Sequence, residues 1–551
     1  MPILSILIFL PLIASLVIAF SPDQYKAYFK WFTLGVTGVE LLLCIFLYFN
    51  FDKTTSDYQF LEQIDWITLP LGTLGVGSID YLLGVDGISL PMVVLTGIVM
   101  FVGAISSFEI KKKEKGYFSL YLLLTGSVIG CFIALDMFLF YLFFEFMLLP
   151  MYFLIGIWGG PRKEYASIKF FIYTLVGSIF ILIVMIGLYL SVVDPVETAL
   201  QMGLINDVAD ITPQIITEVQ NLLKELKIPS QQIVHTFDLR FMPDAGNFLP
   251  NAWLSTFSGT QILSISARAL AFILLMIGFG IKLPAVPVHT WLPDAHVEAP
   301  TPVSVVLAGI LLKIGGYGFL RIAYPIFPEA AEEYAFVVVA FGVLSILYGA
   351  FNALAMNDLK KMIAYSSVSH MGFVLLGIGS LTSEGVNGAV YQMFSHGVLS
   401  AMLFLLVGVL YNRTHDRRID SYQGLAKKMP LYTAMTAIAF FASLGLPAFS
   451  GFIGEVFTLM GGFNSPFIPR WLTALATFGL VLGAAYFLWT LQRMFFGKFW
   501  LRHPEHPTND LTAIEKTMLY PLAILALIFG IFPQLIFDVT NASITELLKL
   551  F

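Results

Sequence analysis

The chain has 551 residues, of which 58% are hydrophobic and only 12% charged, with a formal net charge of −6. Its mean hydropathy is +0.83. A soluble domain carries about 25% charged residues, so this composition excludes a water-soluble globule of this size and points to repeated membrane spans.

Residues 3–20 form the first apolar run. They lack a positively charged leading region and a small-residue cleavage site, so they read as a span and not as a cleaved signal peptide. Further runs cover 30–50, 84–107, 117–134, 136–157, 167–192, 262–287, 300–323, 334–354, 361–380, 386–411, 430–460, 468–496 and 514–538. Runs this long and uniformly apolar predict helices, because a lipid-exposed backbone must satisfy its own hydrogen bonds. The expectation is an all-α polytopic membrane protein of about 14 transmembrane helices. Cys44 and Cys131 lie within apolar runs and lack the spacing of a metal site, so they read as small core hydrophobes.

Lysine and arginine set the orientation. If the N-terminus faces outward, 20 of the 30 basic residues fall at the inner ends and loops, 26–30, 111–115, 162–169, 360–361, 413–428 and 493–516. Eight fall outside, three of them in one long loop that carries little weight. Both termini are therefore predicted on the outer, periplasmic side of a bacterial plasma membrane.

Two outer segments stand apart. Residues 50–83 are mixed polar and acidic, and 193–261 form a long hydrophilic insert. Within the insert, QIITEVQNLLKELK (214–227) has apolar residues at helical spacing. It reads as a short amphipathic helix outside the bilayer, lying on the membrane surface or, the favoured reading, packed over the neighbouring helices.

The seventh and twelfth spans are broken, by GFGIKLPAVPVHTWLP and by SLGLPAFSGFIGEVF. Proline removes a helix hydrogen bond and forces a kink or an unwound turn, which survives in a membrane only where it is buried in protein or lines a cavity. Breaks five spans apart predict two inverted five-helix repeats. The expected divisions are helices 1–3 in 1–116, a first repeat in 117–323 containing the 193–261 insert, a second in 334–496, and a last helix in 514–551.

Glu145, Lys282, Lys313 and Glu455 lie inside spans. A charged side chain at mid-bilayer costs about 2.5–3.5 kcal/mol, so four would cost about 10 kcal/mol unless paired, hydrated or neutral. Burial favours the neutral form of an amine and a nearby carboxylate favours the charged form, so a lysine–glutamate pair makes a proton site that can be loaded and released. Glu145 and Lys282 are the candidate pair; a purely structural ion pair is the rival reading. His370 and His396, also within spans, can pass protons through either ring nitrogen. His289 and His296, beside prolines at an inner loop, read as structural, while Ser366, Ser367 and Ser369 could bond water or serve packing. The chain has no P-loop, no GxGxxG after a strand, no CxxC cluster and no HExxH, so no nucleotide, flavin or iron–sulfur cluster is expected in it.

The runs FYLFFEFMLLPMYFLIGIWGG, KLPAVPVHTWLPDAHVEAPTPVSVVLAGILLKIGGYGFLR, KKMIAYSSVSHMGF and SLGLPAFSGFIGEVF resemble the antiporter-like subunits of respiratory complex I, a group that includes subunits L, M and N and the multisubunit sodium/proton antiporters. Glu455 stands where L, N and the antiporters carry lysine, and no long lateral helix follows the fourteenth span; both features fit the subunit M (chain 4) family. The resemblance implies proton translocation driven by NADH–quinone oxidoreduction in other subunits, which would hold the NADH, FMN, iron–sulfur and quinone sites. It implies neighbours among the membrane-arm subunits, L and N in particular. It also implies that Glu145 pairs with Lys282, that Lys313 is the central lysine, that Glu455 is the terminal proton-exchanging group, and that His370 and His396 form the relay between them. The long insert and the presence of Ala448 and Phe449, where that family tends to have Gly-Thr, are departures. The alternatives are a subunit of a sodium/proton antiporter or of a membrane-bound hydrogenase-type complex.

Overall fold

A computed structural model describes residues 2–70, 72, 75–262 and 264–551. Among the described residues, twelve helices are long and apolar enough to cross a membrane: Ile3–Phe20, Asp23–Asn50, Ser89–Glu109, Glu114–Ile133, Met137–Trp158, Lys163–Tyr189, Thr301–Ile326, Ala335–Ala355, Leu359–Gly379, Ser383–Thr414, Arg470–Phe495 and Ala513–Ile531. The two expected spans missing from that set are the two that the sequence marks as broken. The seventh is a helix over Ala267–Lys282 followed by an irregular turn and the short helix Trp291–Glu298. The twelfth is split into Pro430–Ser443 and Ser450–Asn464.

The breaks have local causes. After Lys282, prolines 284, 287 and 293 cannot continue the hydrogen-bond ladder. The freed groups find partners elsewhere: Trp291 Nε1 donates to Ile281 O at 2.9 Å, and Val286 N donates to Ser345 Oγ at 2.9 Å. In the twelfth span the chain turns through Gly445 (φ +78°) and Ala448 (φ +79°). Glycine adopts this left-handed region freely, whereas alanine does so at a cost of about 1–2 kcal/mol.

Burial grades from rim to centre. The eighth and eleventh spans are fully buried over their most apolar stretches, and the tenth is 94% buried, against 33–39% for the first, second, sixth, thirteenth and fourteenth. The three central helices therefore face protein on all sides, and the outer helices present apolar side chains such as Leu42, Ile172 and Val481 outward. A buried centre is where irregular helix is tolerated in a membrane. The eighth span uses that freedom: its segments Leu307–Leu311 and Phe319–Ala323 are π-helical.

The all-α expectation needs one correction. Residues 50–83 contain an antiparallel hairpin of β1 (Gln59–Pro70) and β2 (Val76–Val85). Its β-branched and aromatic residues, among them Ile64, Trp66, Ile67 and Thr68, favour strand. Leu71, Thr73 and Leu74, between the two strands in sequence, lie outside the described residues. β2 also pairs in parallel with Val234–His235, which fastens the hairpin to the outer insert. The insert's amphipathic helix spans Pro213–Lys224, capped by Thr212. It buries Val219 and Leu223 against Val193, Ala199, Ile205, Ile228 and Ile233, so it packs within a small core belonging to the insert itself. The fourteenth span ends at Ile531, earlier than the sequence pattern suggests, and after Pro533 a separate helix runs over Gln534–Leu548.

Candidate functional site

Lys313 lies 12 residues into the eighth span, about 18 Å along its axis at 1.5 Å per residue, and is fully buried. The π turn before it displaces backbone carbonyls from the regular ladder. Its ammonium donates to Ala308 O, inside that turn, and lies 2.8 Å from His396 Nδ1 on the eleventh span.

His396 stands beside His370 of the tenth span, with ring centroids 5.5 Å apart. His370 Nδ1 is 3.1 Å from Glu455 Oε1. Glu455 is buried in the second half of the twelfth span, six residues after the end of the break at Phe449. The backbone of the break shapes its seat: a Cβ placed on Gly445 would fall 2.4 Å from Glu455 Oε2. The structure thus brings Lys313, His396, His370 and Glu455 into one line across four spans, the eighth, eleventh, tenth and twelfth. A cavity lies alongside, lined by Ser366, His370, Gln392, Ser395, His396 and Ser443 among others. Ser395 Oγ donates to Ser450 Oγ at 2.8 Å, tying the eleventh span to the broken twelfth. All three serine hydroxyls donate to backbone carbonyls, Ser366 and Ser367 to Ile363 O and Ser369 to Ile346 O, and of the three Ser366 lines the cavity.

Glu145 and Lys282 are arranged differently. Lys282 sits at the C-terminal end of its helix, 2% exposed, with Nζ over the Phe144 ring at 4.7 Å. It is close enough to Glu145 for their charges to interact. No ion pair within 4.0 Å joins them, however, and Lys282 Nζ and Glu145 Oε1 have no hydrogen-bond partner among the described residues. Glu145 is only half-buried, at a break between helices Met137–Phe146 and Leu148–Trp158. The seventh and eighth spans meet closely, since a Cβ on Gly315 would fall 2.6 Å from both Leu283 N and Phe279 O. Lys282 and Lys313 are thereby carried on adjoining backbone.

Several polar groups escaped sequence reasoning. His296 is fully buried, stacked on Phe404 with centroids 4.5 Å apart. Neither of its ring nitrogens has a hydrogen-bond partner among the described residues. Lys360, counted with the inner-loop charges, is 5% exposed and donates to Ala299 O. With Glu298, Glu109, Asn412 and Arg417 it lines a cavity of about 280 Å³ that opens on the side predicted to be inner. Towards the outer side, Arg321 donates to Tyr317 at 3.0 Å, to Tyr58 at 2.7 Å and to Asp86 at 2.5 Å. Glu40, in the second span, is fully buried and neither carboxylate oxygen has a hydrogen-bond partner among the described residues. A single glutamate inside the run LGVTGVELLLCIF was the available signal for it.

The chain matches the family described as "NADH:quinone oxidoreductase/Mrp antiporter, TM" over residues 134–213 and 248–483. It is 39% identical to NADH-quinone oxidoreductase subunit M of Rhodobacter capsulatus, covering 99% of this chain and 96% of that protein. It is 38% identical to subunit M of Rickettsia conorii, covering 100% and 99%. A chain of respiratory complex I from Thermus thermophilus with bound NADH superposes with a TM-score of 0.76 at 27% identity, covering 100% of this chain and 99% of that one. Matches that run from end to end at this identity mean that the chain belongs to the NADH-quinone oxidoreductase subunit M family.

Proposed function

We propose that this chain, a membrane-arm subunit of a proton-translocating NADH–quinone oxidoreductase, carries protons along the line Lys313–His396–His370–Glu455. The carrying observation is the geometry of that line, with a 2.8 Å lysine–histidine contact at one end and a 3.1 Å histidine–carboxylate contact at the other. Each member can gain and lose a proton, and each lies on a different part of the buried centre, where an uncompensated charge is costly.

Uptake proceeds from the inner cavity past Lys360 and His296 to Lys313. Lys282 and Glu145 modulate this step: a positive charge on Lys282 repels a proton on Lys313, and movement of Glu145 towards or away from Lys282 changes how strongly that charge is held. The redox energy arrives from other subunits, which hold the NADH, FMN, iron–sulfur and quinone chemistry; this chain holds no redox centre. Its neighbours in the membrane arm include the antiporter-like subunits L and N, and it sits in a bacterial plasma membrane with both termini outside. The two broken helices occupy matching places, the fourth helix of each, in two inverted repeats, 117–323 and 334–496. The full-length similarity to subunit M proteins favours this reading over a sodium/proton antiporter or a hydrogenase-type complex.

The test is proton uptake into inverted vesicles on NADH addition, with quinone reduction followed in parallel. Glu455→Gln, which keeps volume and polarity but cannot ionise, should assemble and lose most of the uptake. Uptake at the wild-type rate would remove Glu455 from the pathway.

A further inference from the structure

The loop between the thirteenth and fourteenth spans contains the sequence His503-Pro504-Glu505-His506. Proline favours the second position of a turn, and the turn closes with His506 N donating to His503 O at 3.3 Å. This turn brings both imidazoles and the carboxylate together. One ligand atom from each of His503, Glu505 and His506 lies within 4.8 Å of the other two. A fourth donor comes from elsewhere in the chain: His415, just past the end of the eleventh span, has its ring centroid 6.4 Å from that of His506.

The loop is held on both sides of the turn. Tyr422 pairs with Leu501, Arg502 N donates to Ser421 O at 3.1 Å, and Arg502 pairs with Asp420 at 3.3 Å. Beyond the turn, Arg413 donates to Asn509 O at 2.9 Å and Asp510 O at 3.2 Å. Nearby Asp416 is not available as a ligand, because Arg418 and Ser421 hold its carboxylate at 2.8 and 2.7 Å. Among the described residues the side chains of the turn are held by one another and not by a group outside it: His503 Nδ1 and Glu505 Oε1 face each other at 3.4 Å.

We infer that His503, Glu505 and His506, completed by His415, bind one divalent transition-metal ion on the face predicted to be inner, with Zn²⁺ as the favoured occupant. Two or three imidazoles and one carboxylate form a borderline-soft set that suits tetrahedral Zn²⁺, whereas Ca²⁺ and Mg²⁺ require oxygen donors. The site is separate from the proton line. None of its four residues lies in a span, and His503, Glu505 and His415 are exposed to solvent. Occupancy would tie the end of the eleventh span, which carries His396, to the loop that leads into the fourteenth.

The test uses the whole purified complex containing this chain, stripped with a chelator and titrated with Zn²⁺ alone. Wild type should bind one equivalent more than the His503→Ala/His506→Ala double variant, and excess Mg²⁺ should not displace it. X-ray absorption on the difference equivalent should give N/O neighbours at about 2.0–2.1 Å. His415→Ala should weaken binding roughly tenfold or more while leaving the stoichiometry intact. In metal-free buffer the variants should assemble and take up protons on NADH addition like wild type. Equal Zn²⁺ stoichiometry in wild type and double variant would overturn the inference. If the double variant fails to assemble, unchanged Zn²⁺ affinity in His415→Ala together with a first shell lacking imidazole in wild type would overturn it equally.

Discussion

Gly445→Ala tests the seat of Glu455 without touching a titratable group. A methyl at this position would lie 2.4 Å from Glu455 Oε2, and the backbone there has φ +78°. Ordinary contact requires roughly 3.4 Å, so the carboxylate must withdraw by about 1 Å. That displacement stretches the 3.1 Å contact to His370 Nδ1 past hydrogen-bonding range. A hydrogen bond to a charged group contributes about 1.5–3 kcal/mol, and the left-handed backbone adds about 1–2 kcal/mol of strain for alanine. A 1 Å misplacement of a reacting group can cost about a hundredfold in rate. The expected result is an assembled complex whose NADH-driven proton uptake falls by at least about tenfold. Gly483→Ala is the matched control, because the nearest neighbour of its added methyl, Tyr486 Oη, is 3.9 Å away and its backbone is helical. If Gly445→Ala pumps as fast as Gly483→Ala, the carboxylate position is not what matters, and the last step of the proposed line is wrong.

Further outcomes follow from the same geometry. Lys313→Arg should abolish uptake although it keeps the charge, since a guanidinium does not release its proton; uptake within twofold of wild type would show that Lys313 acts only as a fixed charge. Lys282→Ala should abolish pumping with assembly retained, and normal pumping there would make Lys282 and Glu145 structural. A reporter active only in the cytoplasm, fused after Phe551, should be silent, and an active fusion would invert the topology. The outer insert should also respond to pH. Burial, with lesser contributions from neighbouring Asp238 and Asp80, raises Asp136 and Asp194 to about 7, and burial with Asp194 and Asp80 raises Glu197 to about 8. Unfolded carboxyls titrate near pH 4, so between about pH 4 and 8 the folded insert holds protons that the unfolded chain has lost, and its stability falls as pH rises. Amide exchange in 190–262, corrected for its intrinsic pH dependence, should therefore be slower at pH 5 than at pH 8. Asp136→Asn, which can still cap Leu139 N, should flatten part of that slope, and protection that rises with pH would refute the sign.

Much of the fold was legible because the membrane imposes a coarse rule. Uninterrupted apolar runs became helices, and the two proline-rich interruptions became the two discontinuous spans. Lys313 and Glu455 stood out for the same reason, since a charge inside an apolar run is costly unless it is paired, hydrated or neutral. Contacts between distant segments were not legible. The 2.8 Å approach of Lys313 to His396 depends on a π turn that no residue pattern in VVLAGILLK announces. His296 read as a loop histidine because HTWLPDAHVE is polar, yet the short helix Trp291–Glu298 folds back into the protein and buries it against Phe404. Lys360 was lost in a Lys-Lys pair of which one member turns inward and the other stays at the surface. The hairpin was missed because its alternation is mixed with charged residues and most of β1 is exposed with no residue fully buried, which blurs the two-residue period.

The sign of the charge at each end explains why a carboxylate at position 455 is not equivalent to a lysine. With Lys313 protonated and Glu455 ionised, the line holds one positive and one negative end, bridged by two imidazoles. Passing one proton from Lys313 through His396 and His370 to Glu455 leaves both ends neutral. In a medium where isolated charges are strongly penalised, that transfer interconverts a separated ion pair and an uncharged pair, so modest changes in field shift the balance. With lysine at both ends the same transfer only moves a positive charge from one end to the other, and the line is never neutral while loaded. A passing charge on Lys282 then acts differently in the two cases. It destabilises protonated Lys313 in both, but only with Glu455 does the relaxed state carry no charge at all for it to repel. Glu455→Lys should therefore assemble without restoring wild-type uptake, even though lysine is itself a competent proton carrier.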